Sequence, residues 1–295
     1  MTPTPRKRYT VPLPGGRSLE LGARTLVMAI LNVTPDSFPD GGQHADVRAA
    51  VDAALAMVAA GADLLDVGGE STRPGAVLVD DVTERARVVR VVEALAAQVA
   101  GPISVDTTKA SVARAAVDAG AAIVNDVSGL RRDPGIAAVA ASSGAALVLM
   151  HMRGTTTDMY RHASYVDVAK EVAAELAWSV DAAERAGVPR ASLIVDPGLG
   201  FAKQAAHSWG LLARLDHPDL RALDLPLLGG ASRKSVLQTA IGECPASGRD
   251  AGSAAAATVA VLSGAYMVRV HDVAGSVQAV RVADMISAAA ESGRS

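Results

Sequence analysis

The sequence predicts an α/β fold, a single closed (β/α)8 or TIM barrel, on three observations. Short apolar runs recur eight times, separated by helix-length segments; each run ends in polar residues on its C-terminal side; and no GxGxxG follows the first run. Residues 26–31 lead to Asn32, 63–65 to Asp66, 103–105 to Asp106, and 123–124 to Asn125 and Asp126. Residues 147–150 then lead to His151, 193–195 to Asp196, 226–231 to Ser232, Arg233 and Lys234, and 266–268 to Arg269 and His271. In such barrels the active-site groups sit at the C-terminal ends of the strands, so one rim collects this polarity. An open doubly wound sheet shares the alternation; eight repeats without the dinucleotide fingerprint favour closure.

The elements follow in order. Residues 11–21, with Gly15 and Gly16 at the turn, read as a small hairpin closing the barrel bottom, and the first few residues are expected to be disordered. Residues 1–24 form this extension and residues 25–291 the barrel. Helices are predicted over 47–60, ended by Gly61, and over 82–99, where Arg85, Arg87 and Arg90 read as solvated outer faces. Pro102 opens the third strand. Further helices span 111–119, 134–143 and 165–186, stopped by Gly120, Gly144 and Gly187. Pro218 and Pro226 blur the sixth and seventh, and 273–290 closes the barrel.

Size and composition agree with one barrel. A chain of 295 residues at 50% hydrophobic content holds a barrel of roughly 250 residues with modest extensions. Aromatics are 3%, so Ala, Val, Leu and Ile must fill the core. A net charge of −3 offers nothing to nucleic acid or to an anionic membrane, so an anionic substrate must meet local cations. The sole cysteine, Cys244, has no internal disulfide partner, which suits a reducing cytoplasm. The basic start leads into no apolar signal core, and no stretch of about 18 apolar residues follows, so a soluble, cytoplasmic protein is expected.

Chemistry concentrates in a few segments. The loop from Asn32 to Gly42, with two prolines and paired glycines, reads as a lid. In DVGGESTRPGA, Gly68 and Gly69 permit close backbone approach, Thr72 and Arg73 suit an anion, and Glu70 reads as a local backbone acceptor. Asp106, Asn125 and Asp196 end three strands and point into one mouth. Each alone resembles a helix N-cap; together they suit a flat, donor-rich heterocycle with an amino-pyrimidinone edge, Lys234 donating to its carbonyl. Arg269 and His271 alternate on the last strand and face one way, Val270 the other. Beside Asn32 they suit a phosphate or diphosphate with Mg2+, for which one amide oxygen of Asn32 suffices. The sequence has no HExxH, paired CxxC or GxSxG, which disfavours zinc hydrolysis and a serine nucleophile elbow.

These segments resemble the dihydropteroate synthase family. NVTPDSF, DVGGESTRPGA, SVDT, NDVSGL, LMHMRGT, DPGLGFAK, SRKS and RVHDV match in order, from about Thr25 to the last helix. The resemblance implies condensation of (7,8-dihydropterin-6-yl)methyl diphosphate with 4-aminobenzoate, with Mg2+ as cofactor and Asn32 as its ligand. It places Asp106, Asn125, Asp196 and Lys234 on the pterin, and Asn32, Thr72, Arg269 and His271, with Val270 between the last two, at the diphosphate end. Asp106, Lys234, Arg269 and His271 would be catalytic. Phe38, Arg73, Pro74, Phe201, Lys203 and Ser235 match positions that shape the aminobenzoate site, and 34–42 and 70–77 match mobile loops. A homodimer through helices near the end of the barrel is also implied.

Two residues depart from the family pattern: Pro39 stands where serine is usual, and Ala29 where glycine is usual. The Arg73 loop has no aromatic or glycine insert to exclude sulfonamide mimics of aminobenzoate, so sulfonamide sensitivity is expected. A methyltransferase barrel acting on methyltetrahydrofolate would explain Asp106, Asn125 and Asp196 but not Arg269, His271 and SRKS. Pro39 keeps a catalytically silent pterin-binding paralogue open.

Overall fold

The structure, a computed structural model, describes residues 3–34, 43–71, 75, 76 and 78–292, the side chains of 43–46 excepted. The chain opens with an antiparallel hairpin, β1 (Tyr9–Leu13) and β2 (Arg17–Leu21), turned at Gly15 and Gly16, whose φ of 74° and 72° favours glycine. Period-2 alternation turns Val11, Leu13, Leu19 and Leu21 to one face. That face packs on Leu26, Met28, Leu64, Ile123, Val148, Ile194, Leu228 and Met267, and so plugs the barrel bottom as the sequence predicts.

The barrel strands are β3 (Leu26–Asn32), β4 (Leu64–Gly68), β5 (Ile103–Asp106), β6 (Ile123–Asp126), β7 (Ala146–Met150), β8 (Leu193–Asp196), β9 (Leu228–Gly229) and β10 (Met267–Val270). They pair in parallel in the order β8-β7-β6-β5-β4-β3-β10-β9, and a bridge between Val195 and Leu227 closes the circle. The seventh strand is only two residues long, because the chain bends at once into Gly230 and the SRKS turn.

Between the strands lie α1 (Gln43–Ala59), α2 (Asp81–Ala96), α3 (Ala110–Asp118), α4 (Gly135–Ser143), α5 (Val168–Arg185), α6 (Ala205–Leu212), the one-turn α7 (Pro218–Arg221) and α8 (Gln238–Ile241), α9 (Asp250–Leu262) and α10 (Val273–Ser292). Asp80 caps α2 by accepting from the Thr83 N–H at 2.9 Å, and Asp167 caps α5 by accepting from Ala169 and Lys170. The blurred sixth and seventh segments resolve into short pieces because Pro218 starts α7 rather than ending a longer helix.

Strand alternation decides which residues reach the interior. On β3, Val27, Ala29 and Leu31 pack outward against the helices, while Leu26 and Met28 face inward. Ala29 is completely buried on that outer side, between Leu65 and Val270, so its methyl group packs barrel to helix and does not enter the mouth. Register sets Asn32, Gly68, Asp106 and Asn125 side by side across four neighbouring strands.

Two expectations are corrected. Residues 4–6 are anchored: the Thr4 N–H donates to Leu262 O at 2.9 Å, and Arg6 bonds Thr25 Oγ1 at 3.0 Å and pairs with Asp284 on α10. Arg87 is half-buried and donates to Gly69 O at 2.9 Å, because a long side chain on α2 reaches the loop that leaves β4. Among the described residues no helix is long and apolar enough to cross a membrane.

Candidate active site

Arg269 stands at the centre of the upper barrel. The inward face of β10 aims it across the interior, where Nε lies 2.6 Å from Asp66 Oδ2 and Nη2 lies 2.6 Å from Asp106 Oδ2. Asn125 Nδ2 donates to the same Asp66 oxygen at 3.0 Å. The three partners are 0%, 6% and 2% exposed, so this is an interior network. Burial works against the charge on Arg269, yet Asp66 and Asp106 hold it firmly protonated. Among the described residues, Asp66 Oδ1 and Asp106 Oδ1 are buried acceptors without a hydrogen bond. Leaving such a group unmatched costs about 1–3 kcal/mol, so both oxygens await a donor from a ligand. Burial pushes the Asp106 carboxyl up to about 7; Arg269 opposes this and the like charge of Asp66 adds to it.

A second group faces the same space from the opposite wall. Asp196 ends β8 and accepts from the Gly198 N–H at 2.7 Å; burial raises its pKa, against the pull of Lys234. Lys234 donates to Leu199 O at 2.5 Å and lies 4.4 Å from the centre of the Phe201 ring. Burial lowers it to about 8, with Asp196 acting in the other direction. At Gly230 an added Cβ would come within 3.6 Å of Asp196 Oδ2 and 3.8 Å of Arg269 Cβ, so the missing side chain keeps a carboxylate and the guanidinium stem accessible from one point. Arg233 turns away: its φ of 55° and its bonds to Asp250 at 2.6 and 2.8 Å lock the SRKS turn that presents Lys234. Ser235 is exposed beside it.

At the rim, the His271 N–H donates to Ser232 Oγ at 3.0 Å, and the same hydroxyl lies 3.0 Å from His271 Nδ1. The two contacts to one hydroxyl fix the orientation of the imidazole at the rim. Asn32 ends β3, its Oδ1 3.9 Å from where a Cβ on Gly68 would stand, with Asp106 3.5 Å from the same point. The arrangement gives buried acceptors below, cations on both walls, and an amide and an imidazole above: a pocket for a flat donor-rich ring with an anionic tail.

The sequence profile described as pterin binding enzyme matches residues 28–271. The dihydropteroate synthase of Mycobacterium leprae is 50% identical over 262 residues, 87% of this chain and 91% of that one. The chain belongs to the dihydropteroate synthase family. Among solved structures, dihydropteroate synthase from Xanthomonas albilineans with 4-aminobenzoic acid superposes with a TM-score of 0.86 at 46% identity, covering 95% of this chain and 99% of that one. The Yersinia pestis dihydropteroate synthase in a sulfonamide drug complex gives a TM-score of 0.86 at 41% identity, covering 93% and 98%. This synthase is a transferase of the folate pathway.

Of the residues named from sequence, Arg269, expected at the diphosphate end, pairs with the Asp66 and Asp106 carboxylates. The Val270 side chain packs outward in the apolar layer, 2% exposed. Lys203 is 2% exposed, its Nζ bonded to His151 Nδ1 at 2.8 Å and to the Gly198 and Phe201 carbonyls at 3.0 Å, so it lies behind Phe201. Phe38, Thr72, Arg73, Pro74 and Pro39, with most of the loop over 34–42, lie outside the described residues.

Three features escaped the sequence reading. Asp66 was visible as a strand end, but nothing in its spacing showed that it shares Arg269 with Asp106. His151 likewise ends its strand, yet its partner Lys203 is 52 residues away. Lys109, 6% exposed, bonds Glu70 Oε2 at 2.5 Å, Val79 O at 2.6 Å and Glu84. Glu70 also accepts from the Val79 N–H at 3.0 Å, as the local reading expected, and the lysine turns that single contact into a clasp between Glu70 and Val79.

Proposed function

We propose that this synthase condenses (7,8-dihydropterin-6-yl)methyl diphosphate with 4-aminobenzoate to 7,8-dihydropteroate and diphosphate, and that diphosphate leaves before the amine attacks. The observation that carries the reading is the pair of buried, unmatched carboxylate oxygens on Asp66 and Asp106, together with Asp196 and Lys234 on the facing wall. An aminopyrimidinone ring presents parallel N–H donors and a carbonyl; Asp196 and Asn125 suit the former and Lys234 the latter. The pterin then lies over Asp106, whose charge stabilises the methylene cation that forms as the C–O bond breaks. The cation removes the need for a strong base or a covalent nucleophile, since a weakly nucleophilic arylamine captures it directly, forms the C–N bond and releases a proton.

His271, its ring oriented by Ser232, suits the departing phosphate oxygens, and Arg269 sets the potential beneath them. The donor chemistry at the rim fits Mg2+: the ion takes few protein ligands beside phosphate oxygens and water, and Asn32 offers one amide oxygen at a strand end. Bound there it supplies charge neutralisation on the diphosphate. Thr72 belongs at the same end, and Phe38, Arg73, Pro74, Phe201 and Ser235 frame the arylamine, with Lys203 supporting them from behind. Val270 contributes through its backbone. Val282, Met285 and Ile286, exposed on α10 at helical spacing, support a homodimer, and the single free Cys244 supports a reducing, cytoplasmic setting.

The test is diphosphate release from the purified protein given the pterin diphosphate and Mg2+, with and without 4-aminobenzoate, alongside detection of dihydropteroate. Product that depends on both substrates is expected. Bound pterin without turnover would instead mark a silent pterin-binding protein.

A further inference from the structure

Lys203 is buried in the wall of the barrel, and the reaction makes no direct use of it. Its ammonium has three acceptors: His151 Nδ1 at 2.8 Å and the Gly198 and Phe201 carbonyls at 3.0 Å each. Burial lowers the Lys203 pKa well below that of a free lysine, against the pull of Asp196; in its ammonium form the three protons match these three acceptors. Burial holds the His151 ring neutral, and the Glu175 carboxylate, an acceptor 3.2 Å from Nε2, places the ring proton there, so Nδ1 accepts from Lys203. Glu175 is in turn held by Arg153 on Nε at 2.8 Å. A directed chain of bonds thus runs from the turn beside Asp196 out to α5.

That turn is costly to form. Gly198, Gly200 and Ala202 all have positive φ, at 68°, 79° and 48°, and Ala202 adopts a left-handed conformation without the freedom of glycine. Gly198 is also pressed onto the end of β7, where an added Cβ would stand 2.0 Å from His151 O. Lys203 joins the two carbonyls that bracket the turn, and the Phe201 N–H donates to Gly198 O at 3.0 Å within it. The curled turn puts Leu199 O and the Phe201 ring on the Lys234 ammonium, and the Gly198 N–H on Asp196.

We propose that Lys203, seated on the neutral ring of His151, is a positioning residue that fixes the 197–203 turn and thereby sets Phe201 for the arylamine. It deepens the synthase reading and rests on it. The lysine acts through the Phe201 side chain and does not touch the substrate.

The experiment compares Lys203→Met, His151→Leu and His151→Asn with the unaltered protein. Asparagine places an amide oxygen near the position of Nδ1 and keeps the acceptor for Lys203, whereas leucine removes it. Lys203→Met and His151→Leu should raise the KM for 4-aminobenzoate at least tenfold with kcat changed less than threefold, and His151→Asn should return that KM to within about threefold of the unaltered value. Amide hydrogen exchange over 197–203, measured without substrates, should accelerate at least tenfold in the first two variants and stay near the unaltered rate in the third. Loss of kcat and KM together in all three variants, or an unchanged KM with unchanged exchange in folded Lys203→Met, overturns the proposal. Absence of turnover in the unaltered protein would strike the synthase reading instead, and the exchange data would still decide the role of Lys203 in the turn.

Discussion

Replacing Asp66 with asparagine tests the interior network where the sequence was least explicit. The amide oxygen introduced at this position can still accept from Arg269 and Asn125, so the change removes a charge while sparing the hydrogen bonds. Two unit charges about 4 Å apart attract by about 4 kcal/mol at an effective dielectric of 20, and breaking a buried pair costs about 3–5 kcal/mol. Asp106 remains as a partner for Arg269, which places the loss at the lower end, about 3 kcal/mol. At roughly 2 °C per kcal/mol for a chain of this size, Tm should fall by about 6 °C. The same change should alter catalysis in a defined direction. Asp66 is one of the charges that raise Asp106, so its neutralisation lets Arg269 draw the Asp106 carboxyl downward. The acid limb of kcat/KM, measured by diphosphate release, should therefore move to lower pH. A Tm within about 1 °C of the unaltered protein, well inside the shift expected for this loss, together with an unmoved acid limb would refute the network as described.

Other outcomes follow from the same geometry. Asp106→Ala should keep the fold and lower turnover by about a hundredfold or more, as loss of one preorganised electrostatic contact does, and near-normal steady-state turnover would remove its cation-stabilising role. In the unaltered protein kcat/KM should trace a narrow bell, falling below about pH 7 as Asp106 is protonated and above about pH 8 as Lys234 loses its proton. His151 is lowered by burial, and then by Lys203, from 6.5 to about 4, so the unfolded chain takes up a proton between those values and the folded one does not. Its contribution to stability is complete above 6.5 and is lost as pH falls toward 4, about 3 kcal/mol in all, while Asp106 acts in the opposite sense as pH falls from 7. His151→Asn should accordingly lose less Tm than the unaltered protein between about pH 7.5 and about pH 5, a window that spans the ordinary histidine titration, and equal losses would exclude the histidine as the cause. Chelation of Mg2+ by EDTA should slow diphosphate release, and Asn32→Ala should raise the Mg2+ concentration for half-maximal rate; a rate indifferent to both would remove the ion from the rim.

Most of the barrel was legible because its signals are local. Apolar runs of strand length, glycines after helices and polar strand ends each depend on a few adjacent residues, and the inward set of Asp106, Asn125, Asp196 and Arg269 follows from period-2 alternation alone. What failed to show depends on distance along the chain. Lys109 reaches Glu70 across 39 residues, Lys203 reaches His151 across 52, and Arg269 reaches Asp66 across 203, so the preference of each cation for its partner exists only after closure. Arg87 was misread for a related reason: a helical pattern reports which side faces outward but not how far a long side chain can bend back to a carbonyl. Residues 4–6 carry no pattern at all, and their attachment depends on Leu262 and Asp284 near the far end of the chain.

The hairpin beneath the barrel has a directional corollary. With Val11, Leu13, Leu19 and Leu21 packed across the lower end, the carboxylates are approached from the strand-end side. The direction of approach is thus set at the end of the molecule farthest from the chemistry.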